Sequence, residues 1–402
     1  MNKKFLMLSL IPTEAWDYNV KDLIRGLSAA VNLGNSSETL YISGIGNCIP
    51  TRSARTAIII ALKALNLPLG ARIGVPLYCC PVVFKAIKAA DCTPQFIDID
   101  PRSFCVSTED LSTKCTKLDA LIAVHMFGNL CDIPSLQQVM KSKPIIEDCA
   151  QSLGSILDSR LAGSLGTIAA FSFRLGKYLS AGEGGALYSK YAEICLRMSQ
   201  IAAALPMSTR FEEFKHVFEN FVRSKLRSKP LWGVLGQSIW GLYNKKVDFA
   251  AKSPIIQSQI FKSDLAIFRN RMALLDSMVK AQRANAEYYI RHLQLDPYLL
   301  CLERPRTFYN RFMFPITFRS SEGRDEIAAY LQSQQISSSK PYEEVIEGAA
   351  THYGYEGDCP VAEHLLRRTL VIPSHYKLKK RDITRIAQCM NAGWAKITNR
   401  GR

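Results

Sequence analysis

Two neighbouring stretches carry the fold of this 402-residue chain: Ile145-Ile146-Glu147-Asp148-Cys149-Ala150-Gln151-Ser152-Leu153-Gly154, and Ala169-Ala170-Phe171-Ser172-Phe173-Arg174-Leu175-Gly176-Lys177-Tyr178-Leu179-Ser180-Ala181-Gly182-Glu183-Gly184-Gly185-Ala186. Each begins as a short apolar run, the mark of a buried strand, and then breaks into Gly, Ser and polar residues. The first places a carboxylate, Asp148, at a strand end. The second places a lysine, Lys177, in the loop that follows.

Outward from these stretches the pattern repeats. Ile73–Pro76, Phe96–Asp98, Ala120–His125, Pro144–Glu147, Ile168–Phe173 and Ala186–Tyr188 read as strands, with Leu40–Ser43 before them. Pro81–Ala90, Glu109–Cys115 and Ile133–Lys141 between them read as helices, and Ser189–Leu205 continues as helix. Alternation of this kind predicts an α/β fold: a mostly parallel central sheet inside a three-layer sandwich. Ligands of such sheets bind beyond the carboxyl ends of the strands, where His125, Asp148 and Ser172 fall. Upstream, 13–31 has the spacing of an amphipathic helix, and the strand at Leu40–Ser43 leads into Gly44-Ile45-Gly46. Pro50-Thr51-Arg52-Ser53-Ala54-Arg55-Thr56-Ala57 opens an apolar helix through Leu65. A small-residue helix start is a ready anion site, because its first N–H groups are unpaired and the dipole is positive there; Ser and Thr are also the ordinary helix caps.

A chain of this length exceeds one minimal core. Residues 1–255 read as a large domain, 256–295 as a linking stretch with a long helix, and 296–402 as a smaller C-terminal α+β domain. Within the first, 206–256 is a basic and aromatic insertion, with Arg210, Lys215, Arg223, Lys225, Arg227, Trp232, Trp240, Lys245 and Lys246. It reads as a segment packed on the protein's own surface or on a subunit partner; its basic flanks and tryptophans would also permit contact with a membrane surface.

Hydrophobic residues make up 48% and charged residues 21%, the balance of an ordinary globular protein. No apolar run reaches the roughly 18 residues of a membrane span. Met1–Pro12 has the outline of a secretion signal, but Glu14 and Asp17 stand where a cleavage site would be. Twelve scattered cysteines with no CxxC pair argue reduced, buried thiols rather than a disulfide scaffold. The six histidines form no metal-binding spacing. A net charge of +16 suggests anionic partners. Nucleic acid is excluded among them by the lack of any zinc-finger, RNP or helix-turn-helix signature.

A lone Asp ending a strand is usually a turn residue, and a lone Lys in a loop is usually solvated. Neither explains both in this order and context. Pyridoxal phosphate (PLP) chemistry does: it needs an amine, a carboxylate for the ring nitrogen, a small-residue helix start and hydroxyls for the phosphate, and something flat or small on each ring face. The residues resemble the fold-type I sugar aminotransferases of the DegT/StrS-like group. The matching runs are Ser53–Ala57, Val75–Tyr78, Pro94–Asp100, Val124–Gly128, Ile146–Gln151, Ala169–Phe173 with Lys177, Gly182–Ala186, Cys359–Glu363 and Val371–His375.

The resemblance implies a PLP-dependent aminotransferase acting on a nucleotide-linked keto-sugar with a glutamate-type donor, within surface polysaccharide, lipopolysaccharide or glycoconjugate synthesis. It implies that Lys177 would hold the cofactor covalently and shuttle the proton, and that Asp148 would pair with the ring nitrogen. Gln151 would bond the ring hydroxyl and Ala150 would pack on one ring face. Ser172 with Ala54, Arg55 and Thr56 would hold the phosphate, and His125 would support the site. The ring-stacking position falls on Cys80, with Tyr78 as the aromatic that would compensate, and Leu153 replaces a histidine. A homodimer with shared sites is implied, Gln259 falling near the residue by which a partner subunit completes the phosphate site. The implied location is cytoplasmic, or peripheral at the inner membrane surface. Two alternatives stay open: another PLP reaction such as dehydration, against which Lys177 argues, and a non-catalytic, membrane-associated scaffold.

Overall fold

The computed structural model describes residues 10–31, 39–228, 231–233, 255–296 and 299–400. Its centre is an eight-stranded sheet built from β1 (Leu40–Ile42), β2 (Gly46–Thr51), β3 (Arg72–Pro76), β4 (Thr93–Ile97), β5 (Ala120–Val124), β6 (Ile145–Asp148), β9 (Ile168–Ser172) and β10 (Gly185–Tyr188). The short strands β7 (Ile156–Leu157) and β8 (Arg160–Leu161) form a side hairpin. The strand order is β1-β2-β10-β9-β6-β5-β3-β4. β4, β3, β5, β6 and β9 run parallel, and β10, β2 and β1 alternate in direction beyond them.

Strands of the parallel part are buried on both faces, which is why they read as continuous apolar runs. Along β5, Ile122 and Val124 join one hydrophobic cluster, while Leu121 and Ala123 join the other, across the sheet. This topology points the carboxyl ends of β2, β3, β5, β6 and β9 to one edge. Gly185 pairs with Ser172, so the 173–184 loop that carries Lys177 lies at that edge too.

The structure corrects three readings. Residues 13–31 are not all helix; the helix spans Val20–Val31. Asn19 and Asp22 cap each other's backbone N–H groups, so the chain enters the helix there, and Trp16 and Tyr18 ahead of it are buried. Pro50 and Thr51, read as the turn that opens the helix, end a strand instead: Gly46–Thr51 pairs with β10, and Pro50 stands opposite Ala186. In the 206–256 segment, Arg210–Leu226 is a regular helix closed by a Thr209/Glu212 capping box; residues 229–230 and 234–254 lie outside the described residues.

A third hydrophobic cluster lies in the C-terminal part. There β12 (Phe314–Thr317) and β13 (Thr369–Ile372) pair antiparallel, after the two-residue β11 (Thr307–Phe308) that pairs with β7. The Ser321–Ser333 and Lys380–Arg400 helices pack on that pair. The cluster also takes in Ile11, which bonds Gln335 and Ser337 through its backbone. Cys359, Leu365 and Val371 pack into the main core. Among the described residues, no helix is long and apolar enough to cross a membrane.

Candidate active site

Asp148 closes β6. It is 6% exposed, and its Oδ1 accepts the Ala150 N–H at 3.0 Å. Among the described residues its other oxygen has no hydrogen-bond partner. Burial pushes the carboxyl above its ordinary range, against the opposing pull of the Ala150 N–H, Lys177 and His125. A carboxylate this buried and only half satisfied is costly, and it is poised for a cationic donor.

Lys177 follows the tight turn at Gly176. Its Nζ lies 4.4 Å from the centre of the Phe312 ring. Burial, reinforced by Arg174, lowers the amine to about 8, while Glu14, Asp148 and Cys80 pull the other way. The lysine is therefore neutral often enough near neutral pH to act as nucleophile or base.

The helix Ala54–Ala64 starts where β2 ends. The Ser53 hydroxyl caps the Thr56 N–H at 3.2 Å, so Ser53 is the cap and takes up one of the helix's first N–H groups. The Thr56 hydroxyl contacts Ser53 Oγ at 3.1 Å and donates to the Ile256 carbonyl at 3.3 Å. Ser53 also bridges to Gly184, and Ser172 pairs with Gly185, so the helix start, Ser172 and the glycine turn meet. A Cβ at Gly185 would lie 2.6 Å from the Phe171 carbonyl oxygen and 2.7 Å from Ala54 N. Backbone cannot yield there, so Gly185→Ala is expected to destabilise the protein by ~1–3 kcal/mol in denaturant melts and to loosen phosphate retention.

Gln151 is brought in from the first loop, with its Oε1 accepting the Phe127 N–H at 3.0 Å. Its Nε2 donates to the Tyr342 hydroxyl at 3.3 Å. Cys80 is close to Asp148, Lys177 and Arg174. Tyr78 is not brought to the open site: it is 0% exposed and edge-on to Phe104, Phe127 and Tyr342. The aromatic beside Cys80 is instead Tyr342, whose ring neighbours Tyr78 and whose hydroxyl meets Gln151. No local pattern in the sequence marks Tyr342, Phe312 or Glu14. Gln259 donates its side-chain amide to the carbonyls of Ala203 and Leu205 in its own chain, at 3.1 and 3.0 Å.

His125 sits on the far side of β6 from Asp148. The Cys131 N–H donates to its Nδ1 at 3.1 Å, which leaves Nε2–H to donate to Glu147 at 2.9 Å. Glu147 also accepts the N–H groups of Gly163, Leu165 and Gly166. Burial pushes Glu147 up, but His125 and these N–H groups overcome it and hold the carboxyl below its usual range. The ligand atoms of His125, Glu147 and Cys149 lie within 4.8 Å of one another, yet the carboxylate is already saturated with donors. The cluster is a lock between strand ends. Glu147→Gln is expected to cost ~1–3 kcal/mol at neutral pH, because the amide NH2 cannot accept the buried N–H groups that the carboxylate oxygen satisfied. A carboxyl depressed in the folded state adds stability that is complete above the unfolded value of about 4.3 and lost as pH falls through the folded value. Urea melts from pH 5 down to pH 2 should therefore show a shallower acid loss in the variant than in the parent.

The glycine turn has its own support. Arg52 pairs with Glu183 and lies 3.9 Å over the Phe261 ring. Asp264 accepts the Glu183 N–H and bonds His216, which lies on the Arg210–Leu226 helix. That helix turns Glu213, His216 and Asn220 inward and exposes Phe211, Phe214, Phe218 and Val222. The described part of the insertion thus packs on the site's own wall.

A buried carboxylate at one strand end and a buried amine in the loop entering a reversed strand, on an α/β sheet of this order, define a PLP-dependent transferase of fold type I. The chain belongs to the DegT/DnrJ/EryC1/StrS aminotransferase family, whose model it matches over residues 39–391. It is 27% identical over 377 residues to the UDP-N-acetyl-3-dehydro-alpha-D-glucosamine 3-aminotransferase of Acidithiobacillus ferrooxidans, covering 89% of each chain. It is 24% identical over 341 residues to the GDP-perosamine synthase of Escherichia coli O157:H7, covering 83% of this chain and 82% of that one. A sugar aminotransferase from Micromonospora echinospora, 17% identical, shares the fold with a TM-score of 0.75 over 96% of this chain and 100% of that one. A Streptococcus pneumoniae protein of the same fold, 18% identical, with a TM-score of 0.74 over 98% of this chain and 99% of that one, is known in a PMP form. The protein is an aminotransferase dependent on pyridoxal phosphate.

Proposed function

We propose that this aminotransferase moves an amino group from an amino acid, glutamate or a close analogue, to a keto-sugar carried on a nucleotide. The observation that supports the reading most is the convergence of Asp148 and Lys177 at one sheet edge, the carboxylate buried and the lysine half-buried, each without its full set of partners. The donor set suits the cofactor: an acceptor for a ring N–H in Asp148, an amine in Lys177, and a helix start with Ser172 for a phosphate. When bound, the cofactor supplies an aldehyde that takes up the amino group and a ring that accepts electrons from the adjacent carbon. In this reading Asp148 would hold the ring nitrogen in its protonated form, and Ala150 would lie against one ring face. Lys177 would be the base that takes up the proton at the donor's α-carbon and the acid that returns a proton when the sugar is aminated. Gln151 and Tyr342 would face the ring's edge, while Ser172 and the N–H groups of Ala54 and Arg55, beside Thr56, would hold the phosphate.

The nucleotide-linked ketone is supported by the two relatives that act on UDP- and GDP-sugars and by a net charge of +16, which favours an anionic substrate. The test is a half-reaction: protein loaded with pyridoxamine phosphate is offered UDP-, GDP- and dTDP-linked keto-sugars and free inosose. Return of the aldehyde form with a nucleotide-linked ketone is the expected result. Turnover of the free ketone alone would overturn the nucleotide reading.

The setting proposed is surface polysaccharide or glycoconjugate synthesis on the cytoplasmic side. A homodimer is the proposed state, with a second copy on the stripe of Phe211, Phe214, Phe218 and Val222. The stripe's flanks support a copy over a membrane, since Glu212 and Glu219 stand among Arg210, Lys215 and Lys225 and a surface of both signs is self-complementary. Phe214→Glu with Phe218→Glu should halve the mass in sedimentation equilibrium. Salt-sensitive sedimentation of the parent with anionic liposomes, without that change in mass, would favour the membrane.

A further inference from the structure

Glu14 reaches the site from the segment ahead of the Val20–Val31 helix. Its carboxylate is packed on Gly176, the residue before Lys177: a Cβ there would lie 3.0 Å from Glu14 Oε2 and 3.0 Å from Trp16 Nε1. Gly176 has a φ of +90°, so only glycine meets both the conformation and the close approach. Glu14 and Lys177 line the same small cavity, together with Phe312, His375 and Tyr376 among others.

Two donors hold that carboxylate. Trp16 Nε1–H donates to Oε2 at 3.1 Å, and Arg227 Nη1 donates to the same oxygen at 3.3 Å. Arg227 caps the Arg210–Leu226 helix, inside the segment without a counterpart among the matching motifs. Its guanidinium lies 4.2 Å over the Trp16 ring and 5.0 Å from the Trp232 ring. Only 19% of the Arg227 side chain and 29% of the Glu14 side chain is exposed. The cation thus lies against two indoles with Nη1 on one carboxylate oxygen, and a lysine ammonium lacks the flat face that packs on the rings.

We propose that Arg227 is a positioning residue that acts through Glu14 on Lys177: it seats the carboxylate on Gly176 and compensates its charge, so that the lysine amine is not held as an ammonium ion. The proposal rests on the assignment of Lys177 as the working amine. The physics is a balance of charges around one buried group. Lys177 is faced by Arg174 on its own loop, Glu14 on the N-terminal segment, Asp148 on β6 and Cys80 after β3. An uncompensated Glu14 would favour the ammonium form. Glu14 itself is pushed up by burial and brought below its ordinary value chiefly by Arg227, with Arg174, the Trp16 N–H and Lys177 assisting.

The test is a charge cycle with Arg227→Met, Glu14→Gln and the double variant. The first readout is the pH midpoint for acylation of Lys177 in the full-length, cofactor-free protein, measured by mass spectrometry. The second is the acid limb of kcat/KM in the loaded enzyme. Arg227→Met should raise the midpoint by about one pH unit, a tenfold loss of free amine at fixed pH. Glu14→Gln should lower it, and the double variant should return toward the parent. Trp16→Phe, which removes one donor but keeps the ring, should shift it less than Arg227→Met. Unchanged midpoints in the single variants would overturn the proposal. So would a rise in KM for the anionic substrate with the midpoint unmoved, which would make Arg227 a direct substrate contact. Turnover retained in Lys177→Ala would instead overturn the assignment of the lysine, leaving the midpoint cycle readable on its own.

Discussion

Lys177→Ala is expected to lower turnover by at least ~10³-fold, the scale of losing a positioned acid–base group, and to leave the cofactor removable by dialysis. The lysine is placed for this by structure rather than by exposure. It stands in a loop entering the reversed strand β10, its amine over the Phe312 ring at 4.4 Å and brought down to about 8 chiefly by burial. The contact with Phe312 contributes about 0.5–2 kcal/mol, and removal of a buried amine relieves its desolvation. The variant should therefore melt within ~2 kcal/mol of the parent. A folded protein without turnover separates chemistry from stability. Paired denaturant melts and steady-state assays decide it, and an activity within tenfold of the parent would remove the lysine from the mechanism.

Asp148→Asn should be nearly as damaging by another route. The carboxylate is 6% exposed and has one hydrogen bond of its own, from Ala150. Alone, burial pushes it up; opposite a cationic ring nitrogen it is ionised, because an opposite charge at contact favours the charged form. Such a charge-assisted bond is worth about 1.5–3 kcal/mol, so the amide should weaken cofactor binding roughly 10–150-fold. The catalytic loss should be larger than the binding loss, since the ring's capacity to accept electrons depends on the protonated nitrogen. Cofactor titration by fluorescence quenching, set beside kcat at saturating cofactor, distinguishes the two. Equal affinity in both proteins would show that Asp148 does not face the ring.

The sheet was legible in advance because its strands are short, apolar and punctuated. β5 and β6 could be read from five and four residues in a row that are buried on both faces. β2 was not, because Gly46 and Pro50 belong to the vocabulary of turns. It forms because β10 offers a neighbour, which no local window contains. The 13–31 stretch misled for a related reason: Trp16 fits a helical stripe, but it is buried by packing in an extended segment, and the cap at Asn19 decides where the helix begins.

The candidate site divides along the same line. Asp148 and Ser172 could be named because they stand at the ends of strands, where an α/β sheet opens, and Lys177 because it follows in the next loop; Ala150 and Gln151 were named by the family resemblance. His125 stands at such an end as well, but the pleat turns it to Glu147, on the other face. Tyr78 sits next to Cys79 and Cys80, yet its ring belongs to the aromatic core.

By itself, then, the sequence determined the sheet, the edge at which it opens, and the carboxylate and lysine that meet there, since all of these are written in periods of a few residues and in loop composition. Only the tertiary structure decided what surrounds that pair. Tyr342 meets Gln151 across 191 positions, and Arg227 meets Glu14 across 213. Contacts at such separation leave no local trace, because they follow from which surfaces the packed layers bring together, and it is there that the charge on Lys177 is set.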